Sequence, residues 1–153
     1  MTSHILSAHD CENLCTTVTF VLQGTEEGSL HVRVVPFENG KPRSEDDFIE
    51  DPTDLLDKPY QVQIKVLSAE INKSRFSKGV RVKYRVYKDE VYTETDLIRN
   101  TLTPKFNHAH VFAFNVITND ELDFFEHGST ISIVSLTYYT GVYWFLIHQF
   151  CAV

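Results

Sequence analysis

Apolar and polar residues alternate along several short stretches of the chain. In residues 60–67 (YQVQIKVL), Tyr, Val, Ile and Val occupy every second position, and two glutamines and a lysine lie between them. A period of two is typical of a half-buried β-strand, because successive side chains of a strand point to opposite faces. Residues 29–37 (SLHVRVVPF) show the same alternation. Both stretches therefore predict strands with one face in an apolar core.

Residues 80–86 (VRVKYRV) combine this alternation with a strongly basic outer face. The pattern predicts that the three valines and Tyr84 point inward, whereas Arg81, Lys83 and Arg85 point to solvent. Three cations on one face of a strand are a candidate surface for an anionic partner.

Turn-forming residues separate these stretches from further strands. Residues 88–90 (KDE) predict a hairpin turn, and residues 91–95 (VYTET) its return strand. Residues 106–116 (FNHAHVFAFNV) and 130–134 (TISIV) predict two later strands. Residues 17–22 are apolar enough for a strand or a short helix, and the pattern does not decide between them.

Two short helices are predicted by the signals at their ends. At residues 51–56, Asp51 is a typical cap and Pro52 suits the first helical position. At residues 118–121 (TNDE), Thr is followed three positions later by Glu, which is the capping-box pattern, and Gly128 is a typical stop. No helical stretch recurs between the strands. The sequence therefore predicts an all-β fold, an antiparallel β-sandwich with one or two short helices.

Charge is distributed unevenly along the chain. The formal net charge of the 153 residues is −7, which argues against nucleic acid as a partner. Residues 45–57 are densely acidic, whereas residues 58–105 contain eleven Lys or Arg and five Asp or Glu. Beyond residue 105 there is no Lys or Arg. The basic middle of the chain is therefore the region in which an anionic partner is expected.

The cysteines and the N-terminus indicate a compartment. Cys11, Cys15 and Cys151 are too few and too uneven for a disulfide framework, which suits a reducing environment. The N-terminus has no basic region followed by an apolar run, so no signal peptide is visible. We expect a cytoplasmic protein.

Four stretches, in order, resemble a C2 domain, and more narrowly the C2-like tail domain of the third kinesin class, the motors that transport vesicles and organelles. They are residues 28–36 (GSLHVRVVP), 75–85 (RFSKGVRVKYR), 103–108 (TPKFNH) and 122–129 (LDFFEHGS). Thr103 stands where the family has Asn. The resemblance implies a C2-like β-sandwich at residues 28–135. Residues 1–27 are weakly patterned, so we expect a weakly ordered N-terminal segment there, and residues 136–153 form a divergent uncharged tail.

The resemblance implies a non-catalytic binding or regulatory module that contacts cargo, lipid or other segments of a kinesin-like microtubule motor. Its partners would be a cargo adaptor, motor segments or an anionic membrane surface, at the cytoskeleton and on vesicles. The chain lacks the phosphate loop with which a motor holds nucleotide, so we expect a fragment or variant without ATPase activity, and no enzyme. The alternative is a free-standing C2-like adaptor that binds protein or anionic lipid without calcium.

The end of the sequence departs from the family. C2-type domains continue with further strands, whereas residues 136–153 show no likeness to them and carry no charge. The sandwich is therefore expected to be truncated at its C-terminal edge, unless the tail substitutes as a strand. Residues 129–153 are also long enough to span a bilayer, although Ser, Thr, His and Gln interrupt them, so a tail anchor is a further alternative.

A basic patch is the candidate site. It contains seven cations on or beside the strand predicted at residues 80–86, namely Lys73, Arg75, Lys78, Arg81, Lys83, Arg85 and Lys88. Cations near a membrane attract anionic headgroups with about 1 kcal/mol each. The same patch can bind an acidic partner protein or the acidic residues 45–57 of this chain. The alternative is an ordinary solvated strand face.

No metal site is predicted. C2 domains that bind calcium use Asp clusters in their apical loops, because calcium needs several oxygen ligands. Residues 68–79 offer only Glu70, and the loop after residue 134 contains no acid. His9, Cys11 and Cys15 lack the fourth ligand and the tight spacing of a structural zinc site.

No cofactor site or catalytic constellation is predicted either. His108 and His110 share the strand face of Phe112 and Phe114, where packed or hydrogen-bonded histidines are more common than ligands. No Ser or Cys lies in a nucleophile elbow, and paired carboxylates occur only in the acidic run.

Overall fold

The computed structural model describes residues 15–22, 25–43, 51–86, 91–123, 130–137 and 142–148. Within these ranges the chain forms two antiparallel sheets. The strands of the first sheet are Cys15–Leu22 (β1), Thr25–Glu38 (β2), Lys41–Pro42 (β3), Tyr60–Ile71 (β4) and Lys105–Phe114 (β7). They lie in the order β1-β2-β4-β7, and the short β3 pairs with the end of β2.

The second sheet contains the basic strand. Its members are Val80–Arg85 (β5), Thr93–Glu94 (β6), Thr130–Thr137 (β8) and Val142–His148 (β9), in the order β6-β5-β8-β9. All of their pairings are antiparallel. The basic strand β5 therefore lies inside this sheet, with β8 on one side and the two-residue β6 on the other.

The apolar faces of the two sheets meet in one core. Along β4 and β5, buried and half-exposed side chains alternate, as the sequence pattern predicts. Val62 from the first sheet and Tyr84 from the second are fully buried, with 0% of each residue exposed. Burial of an aliphatic or aromatic side chain stabilises a fold by about 1.5–3 kcal/mol. The buried side chains of the two sheets therefore hold the sheets together.

A short 3-10 helix, Pro52–Leu55, precedes β4. The Asp51 side chain accepts hydrogen bonds from the Thr53 backbone N–H at 2.9 Å and from the Thr53 hydroxyl at 2.7 Å. These bonds lower the pKa of Asp51 below its ordinary value. The predicted cap at Asp51 and proline at the first position are thus confirmed.

A further 3-10 helix, Ser74–Lys78, follows β4, and the second of the predicted helices, Asn119–Asp123 (α1), follows β7. The backbone N–H and the hydroxyl of Thr118 both donate to Glu121 Oε2, the backbone bond at 3.0 Å. The predicted pairing of Thr118 with Glu121 at a helix start is confirmed. Buried Leu122 anchors the helix to the core. The predicted stop at Gly128 lies outside the described residues.

The structure confirms an all-β antiparallel sandwich with short helices. Residues 17–22, for which helix and strand were both open, belong to β1. In the uncharged tail, residues 142–148 form β9, so the tail supplies a strand in place of the expected missing edge. Among the described residues, no helix is long and apolar enough to cross a membrane. The domain boundaries at residues 28 and 135 stay a prediction.

Candidate anion-binding surface

The outer face of β5 presents three cations in a row. Arg81, Lys83 and Arg85 alternate with inward residues that are almost completely buried, Val80, Val82, Tyr84 and Val86. Residues two apart on a strand lie about 6–7 Å apart on the same face. Because the inward set is fixed in the core, the three cations stay on the solvent side. The predicted orientation of the basic strand is confirmed.

A carboxylate lies between two of these cations. The hairpin register places Glu94 of β6 opposite Lys83. Arg81 Nη1 lies 2.7 Å from Glu94 Oε2, and Lys83 Nζ lies 2.5 Å from Glu94 Oε1. Each oxygen of the single carboxylate therefore accepts from a different cation. This shows that the two cations are placed to share one oxyanion.

The electrostatics of Glu94 follow from these contacts. The hydrogen bond from Lys83 is the largest cause that lowers the pKa of Glu94 below its ordinary value. Partial burial opposes this effect, whereas the hydrogen bond from Arg81 and the charges of both cations reinforce it. With Arg85 included, three cations and one carboxylate give this cluster a formal charge of +2.

Buried Thr95 fixes β6 against β5. The Thr95 N–H donates to the Val82 carbonyl at 2.9 Å, and the Val82 N–H donates to the Thr95 hydroxyl oxygen at 3.0 Å. Farther along, Val80 and Ile98 exchange two backbone hydrogen bonds of 2.8 and 2.9 Å. The segment after Glu94 is therefore hydrogen-bonded to β5 at Thr95 and again at Ile98.

Arg85 extends the surface toward the hairpin turn. Its guanidinium carbon lies 5.3 Å from the centre of the Tyr92 ring, which is a cation–π contact. The Arg85 side chain is exposed. The aromatic ring thus orients the third cation while leaving it accessible to an anion.

Three of the remaining patch residues precede β5 in the chain. Lys73 and Arg75 lie in the connection from β4, at the start of the 3-10 helix Ser74–Lys78, and exposed Lys78 ends that helix. Lys78 is separated from β5 only by Gly79, so it lies at the end of the strand where Arg81 begins the basic row. The seventh predicted cation, Lys88, lies outside the described residues.

Sequence reasoning missed two residues of this surface. Arg99 lies beside Gly79. If residue 79 carried a Cβ atom, that atom would lie 3.7 Å from the Cγ of Arg99. The Asn100 N–H also donates to the Ser77 carbonyl at 2.7 Å, so residues 99–100 adjoin the helix end. Glu94 is the other omission. A hairpin centred on residues 88–89 gives a register with Lys83 opposite Glu94, and that signal was available in the sequence.

The structure also locates the histidines. His108 Nε2 lies 2.9 Å from the Tyr84 hydroxyl, and the His110 ring packs edge-on against Phe112 with centroids 4.7 Å apart. The interpretation of both as packed or hydrogen-bonded is confirmed. Within the described ranges, no three His, Cys, Asp or Glu side chains are grouped so that they can hold a metal.

Comparisons with known proteins concern the fold alone. No protein-family model matches the chain, and no curated protein is significantly similar to it. Among solved structures, the chain is similar to the C2-A domain of RIM2, with 19% sequence identity and a TM-score of 0.47. The match covers 78% of this chain and 83% of the RIM2 domain. It is also similar to the RIM C2-A domain from Drosophila, with 14% sequence identity and a TM-score of 0.45. That match covers 79% of this chain and 85% of the Drosophila domain. Both are C2 domains, and neither likeness links the chain to a kinesin.

Proposed function

We propose that this chain is a non-catalytic binding module whose outer β5 surface contacts anionic lipid headgroups. The observation that supports this most strongly is the position of Arg81 and Lys83, which converge on the two oxygens of one carboxylate. The phosphodiester of a lipid headgroup offers a similar pair of oxygens that share one negative charge, and charge-assisted hydrogen bonds to such groups are strong. The pair is already arranged to bind an oxyanion.

The expected binding is moderate and sensitive to salt. A net charge of +2 on the cluster corresponds to about 2 kcal/mol at an anionic membrane surface, and flanking Lys78 adds to it. Exposed charges are screened over about 8 Å at physiological ionic strength. Binding should therefore weaken as salt is added, and it should depend on the density of anionic lipid in the membrane.

A vesicle sedimentation experiment tests this function. The variant Arg81→Gln/Lys83→Gln/Arg85→Gln removes the three charges and keeps most of each side chain. Its control, Lys41→Gln/Lys58→Gln/Lys105→Gln, changes net charge equally at exposed positions outside this surface. We expect the first variant not to sediment with vesicles of phosphatidylserine and phosphatidylcholine, and the control variant to sediment with them like the unchanged protein. Equal loss by both variants, or no binding by the unchanged protein, would overturn the proposal.

We further propose that the module belongs to a kinesin-like microtubule motor and links it to cargo at the cytoskeleton and on vesicles. The support is the resemblance of residues 28–36, 75–85, 103–108 and 122–129 to the third kinesin class. The alternative is a free-standing C2-like adaptor. The flanking coding sequence distinguishes the two. An upstream phosphate loop and coiled coil would support the motor, whereas their absence across the locus would favour the adaptor.

A further inference from the structure

Glu94 occupies the position that an anionic ligand would take on β5. Its two carboxylate oxygens hold Arg81 and Lys83, the two cations whose placement supports the proposed function. An incoming phosphate must therefore replace Glu94 or share the cations with it. We propose that Glu94 is an intramolecular competitor that limits the affinity of this surface for anionic headgroups. This inference rests on the proposed function.

The geometry makes Glu94 an effective competitor. Thr95, the neighbouring residue, is buried and exchanges hydrogen bonds with Val82, so Glu94 cannot drift away from β5. A tethered group acts at a high effective concentration, on the order of millimolar for a short flexible tether. Here the attachment is a paired strand and not a flexible linker. The Glu94 backbone therefore stays beside β5, and the carboxylate remains within reach of its two cations.

The same geometry leaves Glu94 displaceable. The exposed fractions of the side chains are 35% for Glu94, 34% for Arg81 and 28% for Lys83, so solvent and solutes reach all three. Partly exposed ion pairs are individually weak. The carboxylate also lies on a two-residue edge strand, where its side chain can rotate outward without disturbing the core. The cluster can therefore exchange an internal anion for an external one.

The test compares two substitutions that change net charge equally. Glu94→Gln removes the competing charge at nearly constant shape, whereas Glu70→Gln removes an exposed carboxylate on β4, in the other sheet. With phosphatidylserine vesicles, Glu94→Gln should tighten binding by about fivefold, as two weak ion pairs allow, and Glu70→Gln by less than about twofold. Thermal melts should show that both variants unfold cooperatively, like the unchanged protein.

A second arm places Glu94→Gln in the Arg81→Gln/Lys83→Gln background, where exposed Arg85 and Lys78 remain but neither partner of Glu94 does. There the substitution should change the residual vesicle binding, measured at higher lipid concentration, by no more than Glu70→Gln does. Equal gains from Glu94→Gln and Glu70→Gln would show an effect of net charge only and would overturn the inference. Weaker binding by Glu94→Gln would also overturn it, because Glu94 would then organise the cations. If Glu94→Gln gives either of these results while Arg81→Gln/Lys83→Gln/Arg85→Gln still abolishes vesicle binding, only the competitor role of Glu94 is excluded and the proposed function stands.

Discussion

The Tyr84 hydroxyl lies 2.9 Å from His108 Nε2, and this hydrogen bond joins the two sheets of the sandwich. Tyr84 extends inward from β5, opposite the basic face, and its ring is fully buried. The two rings meet edge to face, with centroids 5.7 Å apart and an interplanar angle of 83°. The strand that presents the cations is therefore fixed to the opposite sheet by a specific polar contact.

Removal of this contact should cost stability without unfolding the protein. Tyr84→Phe keeps the ring in place and deletes the hydroxyl, so His108 loses its partner. A hydrogen bond of this kind contributes about 0.5–1.5 kcal/mol net. We expect the free energy of unfolding in urea to fall by that amount. In a His108→Gln background the same change should have a different, smaller effect, and identical effects in both backgrounds would show that the two residues are not coupled.

Acid should weaken the fold through His108. Burial is the main cause that lowers the pKa of His108 below 6.5, the nearby charge of His110 adds to it, and Asp96 opposes it. The unfolded chain therefore takes up this proton at a higher pH than the folded one. As pH falls below about 6.5, the free energy of unfolding should decrease until His108 is protonated in the folded state too.

Urea denaturation at a series of pH values measures this effect. The His108→Gln variant cannot bind the proton, so its stability should vary less with pH than that of the unchanged protein between about pH 7 and pH 5. An equal slope in the two proteins would contradict the role assigned to His108.

The attachment of β6 should depend on the Thr95 hydroxyl. Thr95→Val preserves shape but leaves the buried Val82 N–H without its side-chain acceptor. A buried donor without a partner costs about 1–3 kcal/mol. Thr93→Val is the control, because Thr93 lies two residues earlier on the same face of this segment but is only partly buried, and we expect it to change stability by less than about 0.5 kcal/mol. Equal losses in thermal or urea melts would contradict this account.

Local patterns were sufficient to predict much of this fold. A period of two determined which residues of β4 and β5 are buried, and the signals at helix starts predicted the pairings at Asp51 and Thr118. Each of these features depends on residues close together in the chain. The outward direction of Arg81, Lys83 and Arg85 could also be predicted from the sequence, because it follows from the burial of their neighbours in the chain.

Contacts between distant residues were not predicted. Tyr84 and His108 are 24 positions apart, and they meet only because the sheets stack in a particular alignment. The proximity of Arg99 to Gly79 likewise depends on the bridge between Val80 and Ile98. Periodicity specifies the face of a strand but not the neighbour across it. The pairing of Glu94 with Lys83 is different, because it follows from the register of a hairpin centred on residues 88–89.

Mapping of backbone amide chemical shifts during titration with short-chain phosphatidylserine tests the central claim most directly. The account predicts the largest changes at Arg81, Lys83 and Glu94, with smaller ones at Arg85 and Lys78, and their loss in Arg81→Gln/Lys83→Gln/Arg85→Gln. Changes confined to Lys41, Lys58 and Lys105, or no change at any lipid concentration, would contradict it.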